Sequence, residues 1–236
     1  MTSINVDKRR ALAVSMVLIV LALSITLDAH GVSGKDAVFL QGLQGRAIVP
    51  LMYLGAKHMV TGYDHLLFLV GVIFFLYELE DVFLYVSLFA VGHSITLLLG
   101  VLGGIRANSY VVDAIIGFSV VYKAFENMDG FRRFFRFQPN AKIAVFVFGL
   151  FHGFGLATKL QDFALAREGL VANIVSFNVG VEIGQTLALS AILIVFTYWR
   201  TRSGFIQHAL AFNGVVMSGG LLLIGYQMSG YFLAMR

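Results

Sequence analysis

Uninterrupted apolar runs dominate this chain, and no Lys or Arg lies at the centre of any of them. A membrane-spanning helix needs about 20 consecutive apolar residues to cross the hydrocarbon core of a bilayer. Only 13% of the 236 residues are charged, whereas an ordinary soluble domain has about 25%. These features exclude soluble enzymes, coiled coils and disordered chains. They predict an all-α fold, a polytopic transmembrane helical bundle.

The apolar runs divide the chain into a leader and one membrane domain. Residues 1–29 join a basic start to an apolar run, which is typical of a signal-peptide-like leader or a first transmembrane anchor. Residues 30–236 are predicted to form a single helical membrane domain, which begins with an interfacial segment at 30–57. The bundle has seven spans with the leader retained and six with it cleaved. The six are predicted at 59–77, 82–103, 109–126, 142–159, 170–198 and 206–228.

The positions of Lys and Arg predict the orientation of these spans. With the N-terminus inside, the dense basic clusters at 8–10, 132–136 and 200–202 all fall on the cytoplasmic side, as the positive-inside rule requires. We therefore expect a multi-pass protein of the cell inner (cytoplasmic) membrane, with a cytoplasmic N-terminus before any leader cleavage. The net charge of +4 is assigned to orientation in the lipid bilayer, so nucleic acid is not an expected partner.

A few ionisable side chains lie within the predicted spans, where an unpartnered charge costs several kcal/mol. They are imidazoles and carboxylates, and the chain has no Cys. Such donors suit a borderline divalent ion such as nickel, cobalt, zinc or copper(II). Their depths predict a polar cavity that opens to the outside. The predicted metal ligands are His58, Asp64, His65, His93, His152 and Glu182, and the predicted supporting residues are Asp113, Asn178, Gln185 and Ser94.

Local spacing supports a shared site. His58 and His65 are two helical turns apart, so they share a face if one helix continues through Gly62. Small-xxx-small pairs, which bring helix backbones together, flank two of the candidates. These pairs are Gly149 with Gly153 around His152, and Gly180 with Gly184 around Glu182.

Each candidate also has a structural interpretation, which the sequence leaves open. A histidine in a membrane helix can simply hydrogen-bond to a neighbouring helix. Asp64 can cap a helix or orient His65, and Asp113 can be a carboxylate that stabilises a helix N-terminus. Asn178 and Gln185 can join two helices.

Four motifs occur in order across about residues 55–195. They are His58-Met-Val-Thr-Gly-Tyr-Asp64-His65, Gly92-His93-Ser94-Ile-Thr96, Phe151-His152-Gly153-Phe-Gly155 and Phe177-Asn178-Val-Gly180-Val-Glu182-Ile-Gly184-Gln185. In these motifs the chain resembles the HupE/UreJ family, which implies an inner-membrane protein with a role in nickel or cobalt passage. Met59 after His58, and Thr158 and Lys159 where further ligands would be sought, depart from the usual pattern. The chain is therefore most similar to a divergent branch of the family.

Three functions are compatible with this sequence. The first is a divalent-metal transporter or permease, with nickel or cobalt favoured by the resemblance and His58 capturing the ion at the outer rim. The second is an intramembrane zinc hydrolase with Glu182 or Asp64 as general base, although the chain has no His-Glu-x-x-His motif. The third is a metal-binding accessory or assembly subunit without transport. Enzymatic activity, assembly with a second copy and a metalloenzyme-maturation partner are left open.

Overall fold

The computed structural model describes residues 45–161 and 169–235. These residues form seven α-helices and one π-helical turn, and no strand occurs among them. The helices are α1 (Ile48–Thr61), α2 (Tyr63–Ile73), α3 (Leu79–Gly103), α4 (Ser109–Asn127), α5 (Ala141–Leu160), α6 (Leu170–Arg200) and α7 (Phe205–Ala234). The π-helical turn, Phe131–Phe135, joins α4 to α5. The predicted leader and most of the predicted interfacial segment lie outside the described residues.

Membrane-type helices make up most of this architecture. By length and composition, α3, α5, α6 and α7 are apolar enough to cross a membrane, and α2 is a shorter apolar helix. Helix α4 has 19 residues and carries three charged side chains, Asp113, Lys123 and Glu126. The all-helical fold is thus confirmed, while the count of seven spans and their orientation stay predictions.

The first of the six predicted spans, 59–77, is wrong as a single continuous helix. Helix α1 ends at Thr61 and α2 begins at Tyr63, because Gly62 between them has extended backbone angles, φ −73° and ψ 101°. Glycine weakens a helix by about 1 kcal/mol relative to alanine, so a break costs least there. The condition under which His58 and His65 would share one helix face is therefore not met, and a bend in the chain relates the two residues instead.

Glycines bring the helices together in three pairs. On α6, a Cβ on Gly180 or Gly184 would collide with backbone carbonyl oxygens of α1, and on α5, a Cβ on Gly149 or Gly153 would collide with those of α3. Helix α4 approaches α7 in the same way at Gly117, where a Cβ would lie 3.2 Å from the carbonyl oxygen of Gly220. The predicted small-xxx-small contacts on α5 and α6 are therefore confirmed.

Polar contacts hold the C-terminal end of α2. The Arg200 guanidinium donates hydrogen bonds to the carbonyl oxygens of Ile73 at 2.5 Å and Phe74 at 2.8 Å. The Asn127 amide donates to the carbonyl oxygen of Gly71 at 2.8 Å. These bonds satisfy carbonyls that a helix end leaves without intrahelical partners. They anchor the C-terminal end of α2 to α4 and α6.

The close approach of α6 to α1 gives a test of the fold. We expect Gly180→Ala to lower the thermal unfolding temperature in detergent by several degrees, because overpacking against a backbone costs about 1–3 kcal/mol. The matched control is Gly214→Ala on α7, where no atom lies within 4 Å of the new Cβ. The control should unfold at or above the wild-type temperature, since alanine favours a helix. Equal unfolding temperatures for the two variants would contradict the α1–α6 packing.

Candidate metal centre

Four imidazoles from four helices meet where α1 gives way to α2. His58 lies in the last turn of α1 and His65 in the first turn of α2, while α3 supplies His93 and α5 supplies His152. The ring of His65 is central: its centroid lies 5.1 Å from that of His58, 6.0 Å from that of His93 and 4.8 Å from that of His152. We call these four residues, with Asp64, the histidine cluster.

Part of the histidine cluster has the geometry of a metal site. Asp64, His65 and His152 each offer one ligand atom, and these three atoms all lie within 4.8 Å of one another. All three side chains are buried, and His93 beside them is only 1% exposed. His58 is partly exposed at the edge of the cluster. We call Asp64, His65 and His152 the tight centre. His93 and His58 lie at its sides.

The contact between Asp64 and His65 sets which nitrogen of His65 can bind a cation. Asp64 Oδ1 lies 3.0 Å from His65 Nδ1. An ionised carboxylate only accepts hydrogen bonds, so the proton of this imidazole is on Nδ1 and the lone pair is on Nε2. A carboxylate behind an imidazole in this way orients the ring and makes its other nitrogen a stronger metal ligand.

Ser119 on α4 sets the tautomer of His152 in a similar way. Its hydroxyl donates to the carbonyl oxygen of Ile116 at 2.6 Å, and the same oxygen lies 3.1 Å from His152 Nε2. A hydroxyl has one hydrogen, so the Ser119 oxygen accepts from His152 Nε2–H. The lone pair of His152 is then on Nδ1. In the neutral form each of these two imidazoles therefore has one lone-pair nitrogen that can bind a metal ion, Nε2 of His65 and Nδ1 of His152.

His93 gives separate evidence that the cluster suits a cation. The Asn178 side chain lies within hydrogen-bonding reach of the His93 ring, yet neither ring nitrogen of His93 makes a well-aligned hydrogen bond with a described residue. Leaving a buried polar group without a hydrogen bond costs about 1–3 kcal/mol. A bound cation within reach of His93 would offset that cost.

Aromatic rings surround the histidine cluster. The ring of Phe89 lies 5.0 Å from that of His152 and 6.4 Å from that of His65, and Phe68 lies 5.3 Å from His152. Phe68 and Phe89 are fully buried. This apolar shell excludes water and lowers the local dielectric constant, which strengthens the attraction between a cation and its ligands.

Three of the predicted supporting residues join α6 to α3. The Asn178 amide donates a hydrogen bond to Ser94 Oγ at 2.7 Å, and the Gln185 amide donates to the carbonyl oxygen of Val86 at 3.2 Å. Asp113, the fourth, accepts an ion-pair hydrogen bond from Lys159 Nζ at 2.7 Å. Asn178, Ser94 and Gln185 therefore position α6 against α3, which carries His93.

Glu182 lies apart from the histidine cluster in its contacts. It is half-buried on α6, and it is not one of the side chains that form the tight centre. Its role as a metal ligand stays a prediction, and Asp64 is the carboxylate that the structure places among the histidines.

Sequence reasoning missed Ser119, which pairs with His152. The available signal was weak, because Ser119 is a single small hydroxyl residue in the apolar stretch of α4. Membrane helices often carry such residues where they contact one another. It also missed that Lys159 is the partner of Asp113. Both contacts join α4 to α5, and they depend on the way those two helices pack.

Comparison with known proteins identifies the family. The model of the family described as HupE / UreJ protein matches residues 34–235, which is most of the chain. This chain belongs to the HupE/UreJ family. No curated protein and no solved structure matched it. The family is linked to nickel or cobalt transport or to accessory roles, so a cluster of imidazoles in this HupE/UreJ protein has a family context that involves metal ions.

Proposed function

We propose that this HupE/UreJ protein is an integral membrane transporter of a divalent transition-metal ion, with nickel or cobalt as its cargo. The observation that carries this proposal is the histidine cluster, built from α1, α2, α3 and α5 around a break between two helices. The cargo ion would be held by His65 and His152, with Asp64 orienting the His65 ring and with His93 and His58 as further ligands.

The donors in the cluster select a class of ion. Neutral imidazole nitrogens suit nickel, cobalt, zinc and copper(II), whereas magnesium and calcium prefer sites made of oxygen atoms. The described residues contain no thiol, since the whole chain lacks Cys, so soft thiolate binding is excluded. The family link to nickel and cobalt favours those two among the borderline ions.

The helix break supports transport rather than static binding. Discontinuous helices mark the substrate sites of many secondary transporters, because the ends of the half-helices and the unwound backbone between them can coordinate a bound ion. The break at Gly62 lies between His58 and Asp64, so a change of the bend angle moves His58 relative to the tight centre. In this proposal His58 captures the ion, and the bend passes it to His65 and His152.

The hydrolase alternative has less support. A zinc hydrolase needs an open coordination position and a general base beside it. Asp64 is engaged with His65 Nδ1 at 3.0 Å, and Glu182 is not part of the tight centre. No observation on the described residues specifically favours hydrolysis. The accessory role is tested together with transport, because a protein that binds the ion without moving it would have that role.

Transport can be measured in proteoliposomes that contain an entrapped metal-sensitive fluorophore. Wild-type protein should admit external Co²⁺ or Ni²⁺ faster than protein-free vesicles do. We expect His152→Asn to slow this influx by about tenfold or more, since damage to a ligand shell costs about 10- to 100-fold in affinity. If the wild-type protein binds the ion but gives no influx above protein-free vesicles, transport is wrong and an accessory role follows.

A further inference from the structure

A largely buried ion pair lies beside the histidine cluster. Lys159, in the last turn of α5, donates from Nζ to Asp113 Oδ2 on α4 at 2.7 Å. The side chain of Asp113 is 5% exposed and that of Lys159 is 16% exposed. Replacing a buried ion pair with apolar side chains of similar volume is often neutral or stabilising, so the pair need not be there to stabilise the fold.

Both members of the pair are close enough to act on the histidine cluster. Asp113 interacts electrostatically with Asp64 and His65, and Lys159 interacts with His58. The second oxygen of Asp113, Oδ1, is buried and has no hydrogen-bond partner among the described residues. Asp113 therefore has one oxygen held by Lys159 and one oxygen available to a further positive group.

The charge balance around the cluster depends on Lys159. With neutral imidazoles, the charges of Asp64, Asp113 and Lys159 sum to −1. Without the ammonium group the sum is −2. The affinity of a protein for a divalent cation rises with the number of charged oxygen ligands around the site. The ammonium group thus cancels a carboxylate that would strengthen cation binding.

We propose that Lys159 is an affinity-setting residue, which occupies Asp113 and so keeps the divalent-ion site weak enough to release its cargo. This inference rests on the proposed function above. A conducting or carrying site must bind an ion strongly enough to admit it and weakly enough to let it leave. A tethered ammonium group provides such a limit, because it competes with the divalent ion for Asp113 and remains attached to α5.

The test is the dissociation constant for Co²⁺, measured by calorimetry on the full chain in detergent. Lys159→Met should bind Co²⁺ roughly tenfold more tightly or better than wild type, because a released carboxylate attracts the ion through a low-dielectric interior. Lys159→Arg keeps the charge and should return affinity toward the wild-type value. Lys142→Met is the matched control, since Lys142 lies at the opposite end of α5 and is exposed; it should bind as wild type does.

Two further variants keep the proposal testable if Lys159→Met fails to fold. Asp113→Asn removes the negative charge that balances Lys159, so the positive charge of Lys159 should repel Co²⁺ and weaken its binding. Asp113→Asn combined with Lys159→Met restores a net charge of −1 and should bind close to wild type. Unchanged or weaker binding by folded Lys159→Met, or unchanged binding by Asp113→Asn, would overturn the proposal. Absence of Co²⁺ binding by wild type and all variants would instead reject the proposed function.

Discussion

Purified His65→Asn protein should retain almost no bound nickel or cobalt. His65 is the central ring of the histidine cluster, with three other imidazoles around it at centroid distances of 4.8–6.0 Å. Asparagine can still hydrogen-bond to Asp64, but it cannot replace the Nε2 lone pair. We expect affinity to fall by about 100-fold, the upper end of losses known for damaged metal shells. The measurement is element analysis of the folded protein after equilibration with each ion.

A second histidine variant makes this result specific. His208 lies on α7, is exposed, and contacts the carbonyl oxygen of Gly204 at 2.6 Å through Nδ1. His208→Asn changes the same chemical group outside the cluster, so its bound metal should equal that of wild type. Equal metal content in His65→Asn and His208→Asn would mean that the ions bind elsewhere on the protein.

Two carboxylate variants should differ by about one order of magnitude or more in metal affinity. Asp64→Asn removes a charge from the tight centre and also weakens the control of the His65 tautomer, so we expect a loss of about 10- to 100-fold. Glu182→Gln removes a charge of the same sign from a half-buried position on α6, outside the tight centre. Its effect should be smaller than that of Asp64→Asn.

Binding titrations show which of the two carboxylates, Asp64 or Glu182, supports metal binding. Thermal unfolding of each variant is the control for folding. Both amides keep the size of the acid they replace, so both proteins should fold. If Glu182→Gln loses more affinity than Asp64→Asn does, then Glu182 is the acidic ligand, as its motif in the sequence predicts, and the ion lies closer to α6 than the histidine cluster indicates.

Much of the architecture could be predicted because hydrophobic length is a strong signal. Each of the predicted spans 82–103, 109–126 and 142–159 ends within a few residues of the helix observed there. The histidines were predicted to share a site for a physical reason: polar groups in hydrocarbon must face the bundle interior and find one another. The structure brings all four of the predicted histidines together.

The remaining features depend on tertiary packing, which composition does not encode. A single glycine within an apolar run is compatible with a continuous helix, so Gly62 gave no clear sign of a break. A Cβ on Gly62 would lie 2.9 Å from His65 Nδ1 and 3.0 Å from the carbonyl oxygen of His58, which shows that the cluster itself crowds this position. The pairing of Asp113 with Lys159 likewise depends on the packing of α4 against α5.

Metal-edge X-ray absorption of the cobalt- or nickel-loaded protein shows directly whether the histidine cluster binds a divalent metal ion. We expect several imidazole nitrogens to coordinate the ion, at the distance of about 2.0–2.1 Å that zinc–imidazole bonds have, and we expect these nitrogens to be lost in His65→Asn. Coordination by water oxygens alone, unchanged in His65→Asn, would contradict binding of the ion by the histidine cluster.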